Sequence, residues 1–125
     1  MSGGAWEYVA GYVDNSYTTD YGSSLVSGAA KTKNVYSKGS SDSKDNNYSA
    51  NSGKYGDAVY ETSANGNSGN SSWYGDYSKF PYTSGPFFLR GGYYSSGTTA
   101  GVFYFSYSSG GSNSDGSFRP VLVAL

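Results

Sequence analysis

The side chains able to do chemistry in this 125-residue chain are few. It has two glutamates, Glu7 and Glu61, seven aspartates, eight Lys or Arg, and neither cysteine nor histidine. Without cysteine there is no disulfide frame, thiolate metal site or thiol nucleophile. Without histidine, the usual base near neutral pH and the commonest transition-metal ligand are missing. A paired-carboxylate glycosidase needs two positioned acids, and Glu7 and Glu61 are not expected to supply them. The run Asp42-Ser43-Lys44-Asp45-Asn46-Asn47 carries oxygen donors without the spacing of an EF-hand loop. Gly91-Gly92 lacks the following Lys-Ser/Thr of a phosphate loop and reads as a tight turn or a close backbone approach. Asn47-Tyr48-Ser49 and Asn70-Ser71-Ser72 match the glycosylation sequon, a match that arises by chance in a chain so rich in Asn and Ser. The formal net charge is −1, so no strong field attracts nucleic acid or an anionic membrane.

Tyrosine and serine offer a different chemistry, that of recognition. Tyr offers a large, stiff contact area with a hydroxyl at its tip, and Ser, Gly and Asn offer adaptable hydrogen bonds. Tyr93, Tyr94, Ser95, Ser96, Tyr104, Ser106, Tyr107 and Ser108 form the candidate ligand surface. Phe103 and Phe105 read as core. Trp6 and Glu7 read as structural. So do Arg90 and Arg119, the only arginines, either of which could pair Glu7, since a buried carboxylate needs a partner.

Positioning these residues falls to short strands. Leu, Val and Phe number 18 and isoleucine is absent, but 23 residues are aromatic. Aromatic side chains bury roughly 150–250 Å² each, so an aromatic core can replace the missing aliphatics. Pro86–Arg90 reads as a strand entered from a Ser-Gly-Pro turn. Residues 101–107 read as a second, with Phe103 and Phe105 on one side and Val102, Tyr104 and Ser106 on the other. Residues 117–123 read as a closing strand with Pro120 at an edge or bulge. Residues 14–72 are expected to be surface loop, least ordered near Gly39–Ser52. Trp73, Tyr77 and Phe80, spaced four and three apart before Pro81, predict one or two helical turns. No run of 18 apolar residues marks a membrane span, and the start shows no secretory signal.

The order Trp6-Glu7-Tyr8, then Arg90-Gly91-Gly92-Tyr93-Tyr94, then a strand holding Ala100-Gly101, then Ser117-Phe118-Arg119-Pro120-Val121 resembles the formylglycine-generating-enzyme-like branch of the C-type lectin fold. That family reads Trp-Glu-Trp, Arg-Gly-Gly-Ser-Trp, an Ala-x-Arg strand and Gly-Phe-Arg. The resemblance covers about residues 1–13 and 73–125. Here Tyr8, Tyr93 and Tyr94 replace the family's second Trp, Ser and Trp. The family contains cysteine- and copper-dependent oxidases, histidine-dependent iron enzymes, and non-catalytic binders that include retroelement-diversified variable proteins. Lacking Cys and His, this chain keeps only what the binding branch implies.

The resemblance therefore implies an α+β, C-type lectin-like fold: a small antiparallel sheet, extensive loops and little helix. It implies one domain over 1–125, with a loop-rich insert at 14–72 and a strand-rich binding part at 86–125. The family's domain normally begins well before its Trp-Glu-Trp, which implies a start upstream of Met1 and a place at the C-terminal end of a longer protein. The expected function is non-enzymatic binding of a protein or glycan at a cell surface or outside the cell, with Gly91, Gly92 and Phe118 as further structural positions. No cofactor is expected; the family's calcium loop loses a side-chain oxygen where Gly3-Gly4-Ala5 stand. The alternative from composition is a self-associating Gly/Ser/Tyr-rich subunit.

Overall fold

A computed structural model of the chain describes residues 4–17, 21–66 and 72–118. It is a small α+β domain built on a mixed sheet of five strands. The strands are β1 (Trp6–Asp14), β2 (Asn34–Ser37), β3 (Phe87–Arg90), β4 (Phe105–Ser108) and β5 (Gly116–Ser117). The order across the sheet is β2-β1-β3-β4, with β5 paired to β1. β1 runs antiparallel to β3, which runs antiparallel to β4. β2 and β5 both lie parallel to β1, so the sheet is mixed rather than wholly antiparallel as expected. Two short α-helices, α1 (Ser23–Ser27) and α2 (Lys44–Ala50), and two 3-10 turns at Ala30–Thr32 and Gly97–Thr99 complete the regular structure of the described residues.

The strand at 86–90 forms as the Pro-Phe-Phe-Leu-Arg pattern predicts. The second strand begins later than expected, at Phe105, because Gly101, Val102 and Phe103 form a turn. The alternation of Tyr104, Phe105 and Ser106 is real: Phe105 opposes Arg90, and Ser106 opposes Leu89. Both sides are nevertheless covered. Phe105 joins Val13, Tyr36, Phe80 and Phe88 in the main core. Tyr104 is only 5 % exposed and Ser106 only 9 %, so the expected outward face is a second packed layer. Of the expected closing strand only Ser117 lies in β5 and Phe118 is not strand; positions 119–125, including Arg119 and Pro120, lie outside the described residues.

The helix predicted around Trp73, Tyr77 and Phe80 does not form. Phe80 is fully buried while Trp73 is exposed, and Ser78 makes a bridge to Phe105 instead. Only two of the three aromatics point inward, so the four-and-three spacing had no single apolar face to nucleate a helix.

The larger correction concerns Gly39–Ser52. This stretch holds α2 and two of the most buried polar side chains, Asn47 and Asn51. Ser43 caps the helix, its Oγ accepting the Asn46 N–H, and Asp45 sits in the first turn where an acid suits the helix dipole. Asn47 donates to Asp42 Oδ1 (2.8 Å) and to the Pro81 carbonyl (3.0 Å), and accepts from Gly39 N–H (2.8 Å). Asn51 accepts the Ser37 N–H and donates to the Ser37 carbonyl, both at 2.8 Å. One amide side chain thus satisfies both backbone groups at the end of β2, as a neighbouring strand would. Asn47 of the first sequon is spent on these bonds; Asn70 of the second lies outside the described residues.

Candidate functional site

The β3–β4 connection, residues 91–104, carries most of the expected ligand surface. Gly91 and Gly92 open it with φ of +88° and +68°. A Cβ on Gly92 would stand 2.9 Å from Ala100 Cβ, so the chain folds back on itself only because that position is bare. The Gly91 N–H bonds the Tyr104 carbonyl, closing the loop at its base.

The eight candidate residues separate into three places. Tyr93 packs against Trp6 at 4.2 Å between ring centroids, the planes tilted by 49°, and meets Tyr94 edge-on at 5.4 Å. Ser96 Oγ accepts the Tyr93 N–H. Tyr94 is 74 % exposed, and Ser95 is exposed beside it. Tyr104 and Ser106, by contrast, are interior. Burial raises the Tyr104 phenol above its ordinary pKa, while the Trp6, Ser106 and Ser96 side chains near its hydroxyl act the other way. Trp6 Nε1 remains buried with no hydrogen-bond partner, so the indole approaches that hydroxyl without closing a bond. Tyr107 and Ser108 lie at the far end of β4. Tyr107 sits edge-on to Tyr82 at 4.9 Å, their hydroxyls 3.3 Å apart, and Ser108 Oγ is bonded to the Tyr8 hydroxyl at 2.7 Å. Tyr104 and Ser106 therefore leave the candidate surface, and Tyr107 and Ser108 are held apart from Tyr93–Ser96 by the length of the strand.

Among the described residues read as structural, Phe118 is the one that departs from expectation. Glu7 faces Arg90 in register across β1 and β3. The Arg90 guanidinium lies 5.7 Å from the Phe105 ring centroid and reaches the Val102 carbonyl with Nη2, while its Nη1 is buried without a partner. Phe118, expected to be structural, is 79 % exposed. β5 ends at Ser117, so Phe118 stands past the last paired residue.

A better-built face appears where the sequence pointed to a helix and a core. Tyr74 and Phe103 stack nearly parallel, 4.7 Å apart and 12° from coplanar. Tyr74 is 76 % exposed, and its neighbours Trp73 and Val102 are also open to solvent. Asp76 holds the two loops together. Its Oδ2 accepts the Phe103 N–H at 3.0 Å, and any side chain on Gly101 would overlap that carboxylate. Below it, Tyr77 stacks on Tyr104 and its N–H bonds the Thr99 carbonyl. The signal available in the sequence was Trp73-Tyr74 between Ser71-Ser72 and Gly75-Asp76, two adjacent aromatics inside a turn-forming run. Neighbouring residues on a turn cannot both pack inward.

Among the described residues no three His, Cys, Asp or Glu side chains converge, and no helix is long and apolar enough to cross a membrane. Fold and site together define a small α+β domain with a mixed sheet, an aromatic core and an aromatic face propped by a buried carboxylate. No protein-family model matches this chain, and no curated protein or solved structure does.

Proposed function

We propose that this chain is a non-enzymatic recognition domain of the C-type lectin type, binding a protein or glycan on another surface outside the cell. The observation that carries the reading is Tyr74, exposed with Trp73 and Val102 and stacked on the half-buried ring of Phe103. Exposed stiff aromatics are the residues that dominate binding energy at recognition surfaces. Here they do not cover the core, and a buried acid fixes the turn that presents them. Tyr94 and Ser95, on the same β3–β4 connection, extend the hydroxyl-bearing part of the surface. The ordered motifs from Trp6 to Phe118 support the family reading.

The test is binding of the labelled domain to a glycan array and to a panel of intact bacterial cells. A variant carrying Trp73→Ser and Tyr74→Ser should keep its melting temperature and lose binding by at least about tenfold, about 1.4 kcal/mol. Equal binding by parent and variant would remove this face. Concentration-dependent assembly of the parent, lost in the variant, would assign the same face to self-association instead.

A further inference from the structure

A second site lies along β1 and β2, and it meets the aromatic face through Arg90, whose Nη2 bonds the Val102 carbonyl. A cleft of about 410 Å³ opens beside Val9, Ala10 and Gly11 of β1, between β2 and the Asp57–Val59 turn. Volumes of this order are typical of small-molecule sites. Its position follows from the sheet. β5 pairs with β1 at Trp6 and Glu7, β2 pairs from Gly11 onward, and β3 shifts register between Tyr8 and Tyr12. No register pair includes Val9 or Ala10, so the sheet has a gap there.

The walls are mixed. Val9, Tyr36, Val59 and Phe88 supply apolar surface. Lys31, Lys33 and Arg90 line the same cleft, and Lys54 lies over the Tyr36 ring at 4.6 Å. Half of the chain's eight cationic residues thus gather at one place, although the whole chain has a net charge of −1. Asp57 is the acid among the lining residues, and its oxygens are already engaged. Oδ2 accepts the Tyr36 hydroxyl at 2.7 Å, and Oδ1 accepts the Val59 and Tyr60 N–H groups. Lys33 Nζ is likewise engaged, by the Leu25 and Val26 carbonyls. Arg90 is not fully engaged: its Nη1 is buried with no acceptor. An acceptor entering the cleft meets the part of Arg90 that lines it, while Nη1 itself lies covered.

We propose that this cleft binds a small organic carboxylate. The carboxylate sits toward Arg90 and Lys31, and the apolar body lies against Val9 and Val59. A guanidinium pairs well with the planar two-oxygen head of a carboxylate. A concave site whose lining is net positive, with Lys31, Lys33 and Arg90 against Asp57, also concentrates anions.

The probe is 3-phenylpropanoate, with 3-phenylpropanamide as its neutral counterpart and inorganic phosphate as an anion without an apolar body. Each is titrated into isotope-labelled protein and followed by amide shifts. The expected result is saturable shifts at Gly11, Asn34 and Ala58 with a Kd below about 1 mM. The neutral amide should bind at least about tenfold more weakly, and Lys31→Glu, at an exposed position, should weaken the carboxylate to a similar degree. Val9→Trp, in an open strand position, should close the cleft and abolish the shifts. Equal binding of acid and amide, no saturable shifts, or shifts mapping elsewhere would overturn the proposal. Phosphate moving these resonances while 3-phenylpropanoate does not would overturn the organic class. Since neither the probes nor the variants touch Trp73 or Tyr74, failure here leaves the aromatic face standing, and the reverse also holds.

Discussion

Residues 37–63 and residues 91–108 exchange the roles their compositions imply. The first segment is rich in Ser, Asn and Gly, and it forms a fixed polar scaffold. Asn47 and Asn51 are among its least exposed residues, and Tyr48 and Tyr60 close its apolar side against Phe80. The second is rich in Tyr and Ser, like a binding loop, but only part of it faces solvent. Tyr104 and Ser106 hold up the sheet, while Tyr94, Ser95 and Val102 remain open. Composition measures how much apolar surface a segment can bury. It does not measure whether short polar side chains can take the place of backbone partners, and that decided the order of residues 37–63.

High pH has the largest expected effect and reaches both segments. Tyr104 and Tyr107 of the second also carry raised phenol pKa values, Tyr104 through burial and Tyr107 through its bond to Tyr82. In the folded chain burial raises the phenol pKa of Tyr36, Tyr48 and Tyr60. Tyr36 is raised further by its bond to the Asp57 carboxylate, and Tyr60 by the adjacent Tyr48. These shifts favour the protonated, folded form. Their contribution is fully present below the unfolded tyrosine value of about 10 and is lost as pH rises through the higher folded values. The scaffold should therefore fail cooperatively under alkali. Phenolate absorbance should rise in a late step that coincides with loss of near-ultraviolet circular dichroism. A smooth titration that finishes before the dichroism changes would show that these phenols reach solvent in the folded chain.

Asn47→Ala comes next in size. It leaves the Gly39 N–H, Asp42 Oδ1 and the Pro81 carbonyl without their side-chain partner, the last fully buried and the first two half-buried. Each buried orphan costs about 1–3 kcal/mol, so a loss of about 3 kcal/mol or more is expected in urea unfolding. Asn47→Asp should be no better, because it keeps the acceptor for Gly39 but sets a second carboxylate beside Asp42. A loss under about 1 kcal/mol would mean that the segment is as loose as its composition implies.

The legible parts of the sequence were those where one residue type has one physical use. Phe87-Phe88-Leu89 after Pro86 reads as a buried strand because its apolar side chains leave no solvent face. The 23 aromatics read as a core because little else could form one. The small α+β class with little helix was implied by the family resemblance rather than by these features. What could not be read was which backbone groups the Asn and Ser side chains would satisfy. The Ser37–Asn51 pairing spans fourteen positions and leaves no local pattern. The candidate surface was half legible for a related reason. Alternation gave the direction of Tyr104 and Ser106 but not the layer that covers them, which is built in part from Trp6, far away in the chain.

The smallest expected effect tests whether the open face is preformed. Tyr74 and Phe103 stack on two loops joined through Asp76. An aromatic pair of this kind contributes about 0.5–1.5 kcal/mol beyond its buried area, and exposure of Tyr74 places this pair at the lower end. A double-mutant cycle of Tyr74→Ala and Phe103→Ala, read by urea unfolding, should give a coupling of about 0.5 kcal/mol. Tyr74→Ala alone should cost little more than that, because the ring covers no part of the core. Binding should fall far more than stability, since a face held ready before contact loses less conformational freedom when a ligand arrives. A coupling of zero would mean that the rings are solvated separately and order only on contact. Under that outcome the two segments would differ in rigidity as well as in burial, and the face would recognise its ligand by adapting to it.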